Sequence, residues 1–374
     1  MTPPWIRTPE ALAELASSLE GCRTIGLDTE SDSLYHHFEK VCLVQLATDR
    51  GDAWLVDALA VRDLSPLAPV LADPGVVKVL HGADYDVTTL KRDFGFAFAS
   101  IFDTMIAARL LGRSEIGLAA VARDELGVTL TKTNQKDDWS RRPLTPQQEA
   151  YALADVLHLV EVRERLEAKL VAAGRLDWMT EECEVVSALE AVVRKRSPEA
   201  YLDLKGAKRL PPRALAALRE LYTWRERRAE ETDTPPFKIL GNESLMHLAE
   251  LRPKDAVGLR AVPGVLPRLQ RHAADLLAAV RRGEELPEAE LPRVVRSPRP
   301  FVPDAVVHRV ERLKAWRARK AQELAVEASV VLPQRLIDRL AEAAPASPTA
   351  LAGVEGLRRW RVKEFGAELL AAVS

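Results

Sequence analysis

Cysteine is scarce in this 374-residue chain: only Cys22, Cys42 and Cys183 occur, and no two form a C-x-x-C arrangement. That argues against a disulfide framework or a thiolate zinc site and fits a reducing compartment. No run approaches the roughly 18 apolar residues that a membrane-crossing helix needs, so no membrane partner is expected. The opening MTPPWIRTPE has neither the basic nor the apolar stretch of a secretory leader, and a cytoplasmic location is expected. A G-x-x-x-x-G-K-[ST] phosphate loop is also missing, which excludes a helicase and leaves no nucleotide cofactor to expect.

What is present exceeds one compact domain and suggests two or three. Arg23–Glu30, Val41–Thr48, Ala53–Asp57 and Val76–Leu80 are rich in β-branched and aliphatic residues and read as strands. The first three are joined too briefly for crossover helices, which predicts an antiparallel meander. Helical spacing follows near Tyr85–Asp93, Thr104–Leu111, Leu118–Leu126 and Pro146–Ala173, the last with Thr145 as N-cap and Pro146 in the first turn. Together these signals describe an α/β domain over residues 1–180.

Beyond about residue 183 no strand signal remains, and the sequence repeats. Leu221–Ala229 (LYTWRERRA) matches Leu313–Ala321 (LKAWRARKA) at an offset of 92. The same offset pairs Pro211 with Pro303, Leu240 with Leu332, Val262 with Val354 and Gly264 with Gly356. Two similar helical modules, at 205–285 and 303–374, explain this most simply. Residues 286–302 hold Pro287, Pro292, Pro298 and Pro300 and read as an extended linker.

Carboxylates carry the chemistry. On a strand, Asp28 and Glu30 point to one face, where they repel each other unless a cation sits between them or the strand end is solvated. His81–Asp86 follows an apolar run and places Asp86 near a helix start, with Asp84 a cap or a supporting group and His81 a packing residue. Tyr151 and Asp155, at i and i+4, share one helix face amid apolar neighbours. Each site alone is weak. Four carboxylates together can hold two divalent ions about 4 Å apart for phosphodiester cleavage, and a tyrosine can orient the attacking water. Charge is distributed to match: residues 1–180 carry 19 Lys and Arg against 27 Asp and Glu, whereas 181–374 carry 34 against 28. An acidic front with a basic back suits a metal-dependent nuclease with modules that hold nucleic acid, although adjacent domains also drift in charge without such a cause.

In that order, Asp28-Thr-Glu30, His81–Asp86 and Tyr151-x-x-x-Asp155 resemble the three exonuclease motifs of the DEDDy branch of the DEDD superfamily. The stretch Gln135–Leu144 before Tyr151 resembles the ribonuclease D family and its eukaryotic exosome relative, as does Asp103 in Ile101–Thr104. The two C-terminal repeats resemble HRDC domains. The resemblance implies an RNase H-like mixed-sheet α/β exonuclease domain followed by two all-α HRDC-like helical domains. It implies two divalent cations, Mg²⁺ or Mn²⁺, held by Asp28, Glu30, Asp86 and Asp155, with Tyr151 orienting water. It further implies 3′→5′ release of nucleoside 5′-monophosphates from RNA 3′ ends, with tRNA precursors the leading substrate.

Nucleic-acid contacts are expected from Trp139, Arg141 and Arg142, with a folded-loop anchor an equal reading for Trp139, and from Arg225, Arg227, Arg317 and Arg319 of the repeated W-R-x-R. A 3′→5′ DNA exonuclease and a non-catalytic RNA-binding scaffold are the alternatives, because metal-bound carboxylates cleave either backbone and only 2′-OH contacts discriminate. The second repeat is expected to grip RNA, so that a chain ending at Leu291 would bind long RNA less tightly and still degrade short RNA. The competing expectation is that this repeat packs on the first repeat and on the catalytic domain, closing a ring or capping a core.

Overall fold

The computed structural model describes residues 4–131, 133–191, 197–265, 267–294 and 301–374. Six strands form one mixed sheet: β1 (Trp5–Ile6), β2 (Thr24–Ser31), β3 (Val41–Thr48), β4 (Ala53–Asp57), β5 (Val77–Leu80) and β6 (Ile101–Asp103), in the order β1-β4-β3-β2-β5-β6. β2, β3 and β4 make the antiparallel meander, while β5 and β6 add in parallel beside β2 and β1 lies parallel to β4. β1 and β6 span two and three residues, too short to register as periodicity.

Around the sheet lie α1 (Pro9–Ser18), α2 (Ala68–Ala72), α3 (Asp84–Phe94), α4 (Thr104–Leu110), α5 (Leu118–Leu126), α6 (Pro146–Leu157), α7 (Leu159–Ala172) and α8 (Leu176–Ser187). The helix expected over 146–173 is two, broken at His158 with no glycine or proline to announce it. A boundary at residue 180 runs through α8, whose Trp178, Met179 and Val186 belong to the core.

The repeat is structural. α9 (Pro212–Glu231), α10 (Pro236–Ile239), α11 (Asn242–Leu251), α12 (Ala256–Ala261) and α13 (Ala273–Glu285) recur as α14 (Asp304–Leu324), α15 (Ala328–Val331), α16 (Gln334–Ala343), α17 (Pro348–Ala352) and α18 (Arg359–Val373). In both modules the first arginine of W-R-x-R turns inward. Arg225 Nη1 donates to Leu240 O at 3.3 Å, and Arg317 Nη1 donates to the equivalent Leu332 O at 3.1 Å. Each thereby satisfies a carbonyl where a short helix has ended.

Contacts divide the chain into two units. One unit combines Asp32–Lys40 with Val193–Arg299, which includes the first helical module. There Leu291 is buried and Val294 packs on the module's core, so the start of the expected linker is docked rather than extended. Its positions 295–300, with Pro298 and Pro300, lie outside the described residues.

The other unit combines Met1–Ser31 and Val41–Val192 with Pro300–Ser374, so the second module shares a core with the sheet domain. Trp178 of α8 stacks on Trp360 of α18, with ring centroids 4.2 Å apart. Glu182 accepts from Trp360 Nε1 at 3.1 Å and Arg361 Nη1 at 2.8 Å, and Glu181 accepts from the backbone N–H groups of Arg359 and Trp360 at the start of α18. Those two amides would otherwise be orphans of the helix end. Of the packing expected for this module, the part against the catalytic domain is observed.

Candidate active site

Asp28 and Glu30 stand on β2, and α6 crosses above them. Gly26 on the same strand face makes that approach possible, since a Cβ there would come 3.1 Å from Val156 O and 3.3 Å from Leu159 Cβ. A capping box fixes the start of α6: the Thr145 hydroxyl accepts from Gln148 N while the Gln148 side chain accepts from Thr145 N. Tyr151 and Asp155 therefore project onto the strand pair. One oxygen each from Asp28, Glu30 and Asp155 lies within 4.8 Å of the others.

Asp86 is outside that trio. It is buried in the first turn of α3, where the Thr29 hydroxyl, from the residue between Asp28 and Glu30, donates to its Oδ1. The cap expected from Asp84 comes instead from Asp103 on β6. Asp103 accepts from Gly82 N at 2.9 Å and Ala83 N at 2.8 Å before α3, and from Met105 N at 2.8 Å at the start of α4. One buried carboxylate thus sets two helix starts, while Asp84 is exposed. His81 Nδ1 lies 2.8 Å from Thr104 Oγ1, and His81 also lines the cleft over the carboxylates. That cleft encloses about 260 Å³, with Leu118, Leu130 and Gln135 on its walls.

The electrostatics are those of a candidate cation site. Burial and neighbouring carboxylates push Glu30 up to about 9 and Asp28 well above the carboxylate range. Burial pushes Asp86 to about 7 and Asp155 to about 6. Burial, with Asp155 and Glu30 next to it, also raises the Tyr151 phenol, which is hydrogen-bonded to Asp155 and stays protonated. Hard oxygen donors that cannot all ionise together are the donor set a divalent cation relieves.

The sign of the resulting pH dependence follows. These folded-state values lie above the unfolded ones of about 4, so the folded protein binds protons more tightly, and its stability falls as pH rises from about 4 to about 9. Metal-free protein should therefore melt at lower temperature near pH 9 than near pH 5. Divalent cations should stabilise it most at the high end, and Asp155→Ala should remove most of that gain. Melting curves across pH, with and without Mg²⁺, check this; equal gains in parent and variant would place the ions elsewhere.

Several expected RNA contacts are not on the surface. Trp139 is 1 % exposed and packs beside Tyr151, with ring centroids 6.0 Å apart. Arg142 is a strut: it grips Asp57 through two bonds of 2.8 Å, and donates at 2.8 Å to Cys42 O and Trp139 O. Cys42 is the extra residue of a bulge opposite Glu30 and Ser31, so Arg142 satisfies a carbonyl that the bulge frees from the ladder. Arg225 is buried and Arg317 turns inward, as described above. The segment and repeat arginines that face solvent are Arg141, Arg227 and Arg319.

The model of the 3′-5′ exonuclease family matches residues 3–171, and the HRDC domain model matches 214–280 and 308–373. Ribonuclease D of Pseudomonas paraeruginosa is 34 % identical over 374 residues, covering 99 % of this chain and 97 % of that protein. The crystal structure of Escherichia coli RNase D, described as an exoribonuclease involved in structured RNA processing, superposes with a TM-score of 0.69 at 27 % identity, covering 100 % of this chain and 99 % of that one. A crystal structure of a protein from Bifidobacterium adolescentis reaches a TM-score of 0.83 at 25 % identity, over 99 % and 97 % of the two chains. Among the described residues no helix is long and apolar enough to cross a membrane.

Proposed function

Since the chain belongs to the ribonuclease D family and is a 3′-5′ exoribonuclease, we propose that Asp28, Glu30, Asp86 and Asp155 hold two divalent cations, Mg²⁺ or Mn²⁺, and that Tyr151 orients the attacking water. The convergence of Asp28, Glu30 and Asp155 under α6 carries this reading. Bound there, the cations would activate water and neutralise charge on the leaving oxygen. The protein's own part is positional. α6 sets Asp155 against β2, Thr29 holds Asp86 beside the trio, and Leu118 and Leu130 wall a cleft for the terminal nucleotide. Tyr151, kept protonated, serves as a hydrogen-bond donor and not as a base. The solvent-facing Arg141, Arg227 and Arg319 are the proposed phosphate contacts.

The product is a nucleoside 5′-monophosphate. The substrate is the 3′ end of a structured RNA in the cytoplasm, with tRNA precursors the leading class; the structured-RNA role of the Escherichia coli relative supports this. The deciding experiment incubates end-labelled RNA and DNA of one sequence with Mg²⁺, Mn²⁺ or chelator. A ladder shortening from the RNA 3′ end, and lost in chelator, is expected; equal degradation of DNA would overturn the substrate reading.

Tyr151→Phe should lower the single-turnover rate roughly tenfold or more, the scale of losing a group that positions the attacking water. RNA affinity, set by phosphate contacts, should hardly change. An unaltered rate would reduce the tyrosine to a packing residue.

A further inference from the structure

Gln45 of β3 is 0 % exposed, and neither its amide oxygen nor its amide nitrogen has a hydrogen-bond partner in the protein. It pairs in register with Asp28 on one side and Leu55 on the other. Directly paired residues point to the same face, with Cβ atoms about 5 Å apart, so the amide sits beside the Asp28 side chain. Leu43, Leu55, Tyr151 and Ala152 form the otherwise apolar patch on that face. Trp139 belongs to the same patch, and its indole Nε1 is also buried without a partner. An unsatisfied buried polar group destabilises the fold, and apolar residues of similar shape are free of that cost. Here the orphaned amide lies in register beside Asp28, and the orphaned indole belongs to the patch that holds Tyr151.

We propose that Gln45 is a positioning residue for the reaction. Its amide, together with the Trp139 N–H, holds a buried water that fixes the Asp28 carboxylate under α6. A buried water needs two to four polar partners, and the amide and the indole supply up to three. The inference rests on the exoribonuclease reading for its readout only: a parent protein that does not degrade RNA defeats that reading, whereas an active parent with an equally active variant defeats this one.

Gln45→Met keeps the length and approximate volume of the side chain and removes every hydrogen-bonding group. With the full-length protein, Mg²⁺ and a short single-stranded RNA, kcat should fall at least about tenfold while KM stays within about twofold. The melting temperature should hold or rise, because the unsatisfied amide is gone. Trp139→Phe, which deletes the N–H and keeps an aromatic ring, should lower kcat in the same way. A high-resolution crystal structure of the parent should place a water within hydrogen-bonding distance of Gln45 and Trp139. Unchanged kcat in Gln45→Met overturns the proposal. So does a joint loss of melting temperature, kcat and KM, the signature of a residue that only fills the core.

Discussion

Asp28→Asn should abolish nucleotide release, by at least about 10²-fold, while leaving a protein that melts higher than the metal-free parent. Both effects have one cause. Asp28 is pushed far up by burial and by Asp86, Glu30 and Asp155, so in the absence of cations its charge is a burden on the fold. The amide removes that charge and keeps the shape. For a unit of this size each kcal/mol regained is worth about 2–4 °C, so a rise of a few degrees is expected. The same substitution takes a hard anionic ligand from the cation site, and Mg²⁺ should then stabilise the variant far less than the parent. Activity near the parental level in Mg²⁺ would remove Asp28 from the active site. A variant that melts lower would show that the carboxylate is structurally required and not repelled.

Ending the chain at Leu291 should damage the catalytic unit itself. Such a truncation exposes Trp178, leaves Glu182 without its Trp360 and Arg361 partners, and strips Glu181 of two helix-end amides. α8 also supports the site from behind. Cys183 Sγ accepts from Asp103 N at 3.4 Å, Asp103 holds the turn that starts α3, and Lys91 of α3 donates to Ser187 O and Leu189 O at 2.6 and 2.7 Å. Loss of activity on short and long RNA alike is expected, with a melting temperature lower by at least about 10 °C, since truncating one buried tryptophan to alanine already costs about 3–5 kcal/mol. Trp360→Ala in the full chain should reproduce much of the melting loss. If the truncated protein keeps its melting temperature and its rate on short RNA, and loses only salt-sensitive affinity for long RNA, the second module is an RNA-gripping arm after all.

Much of this was legible in the residues. Asp28 and Glu30 share a strand face, Tyr151 and Asp155 share a helix face, and those two periodicities point at each other once α6 lies over β2. The meander strands were readable because each spans five to eight apolar-rich residues. α1 was missed although Thr8 before Pro9 is a cap-and-proline start, and the observed cap, Thr8 accepting from Ala11 N, is what that pair signals. Other features left no local mark. The bulge at Cys42 and the capping of the α3 turn by Asp103 depend on residues distant in sequence. W-R-x-R misled because a basic motif reads as a surface whether its arginines face phosphate or a neighbouring carbonyl. Trp139, close to two arginines in a polar stretch, reads equally as a nucleic-acid contact and as a loop anchor; its packing with Leu43, Leu55 and Tyr151 makes it the anchor.

Because one unit is assembled from residues 1–31, 41–192 and 300–374, its order of synthesis matters. The carboxylate-bearing strand and helices leave the ribosome first, then the whole first module, and only then the helix that stacks on Trp178. At about 5–20 residues per second, the interval between residue 191 and residue 374 is roughly 10–40 s. Throughout it α8 presents an uncovered tryptophan and two unpaired glutamates, a surface open to a chaperone. The nascent nuclease cannot close the core of its catalytic unit until α18 has emerged, so the site's scaffold is completed only after the whole first module has been made.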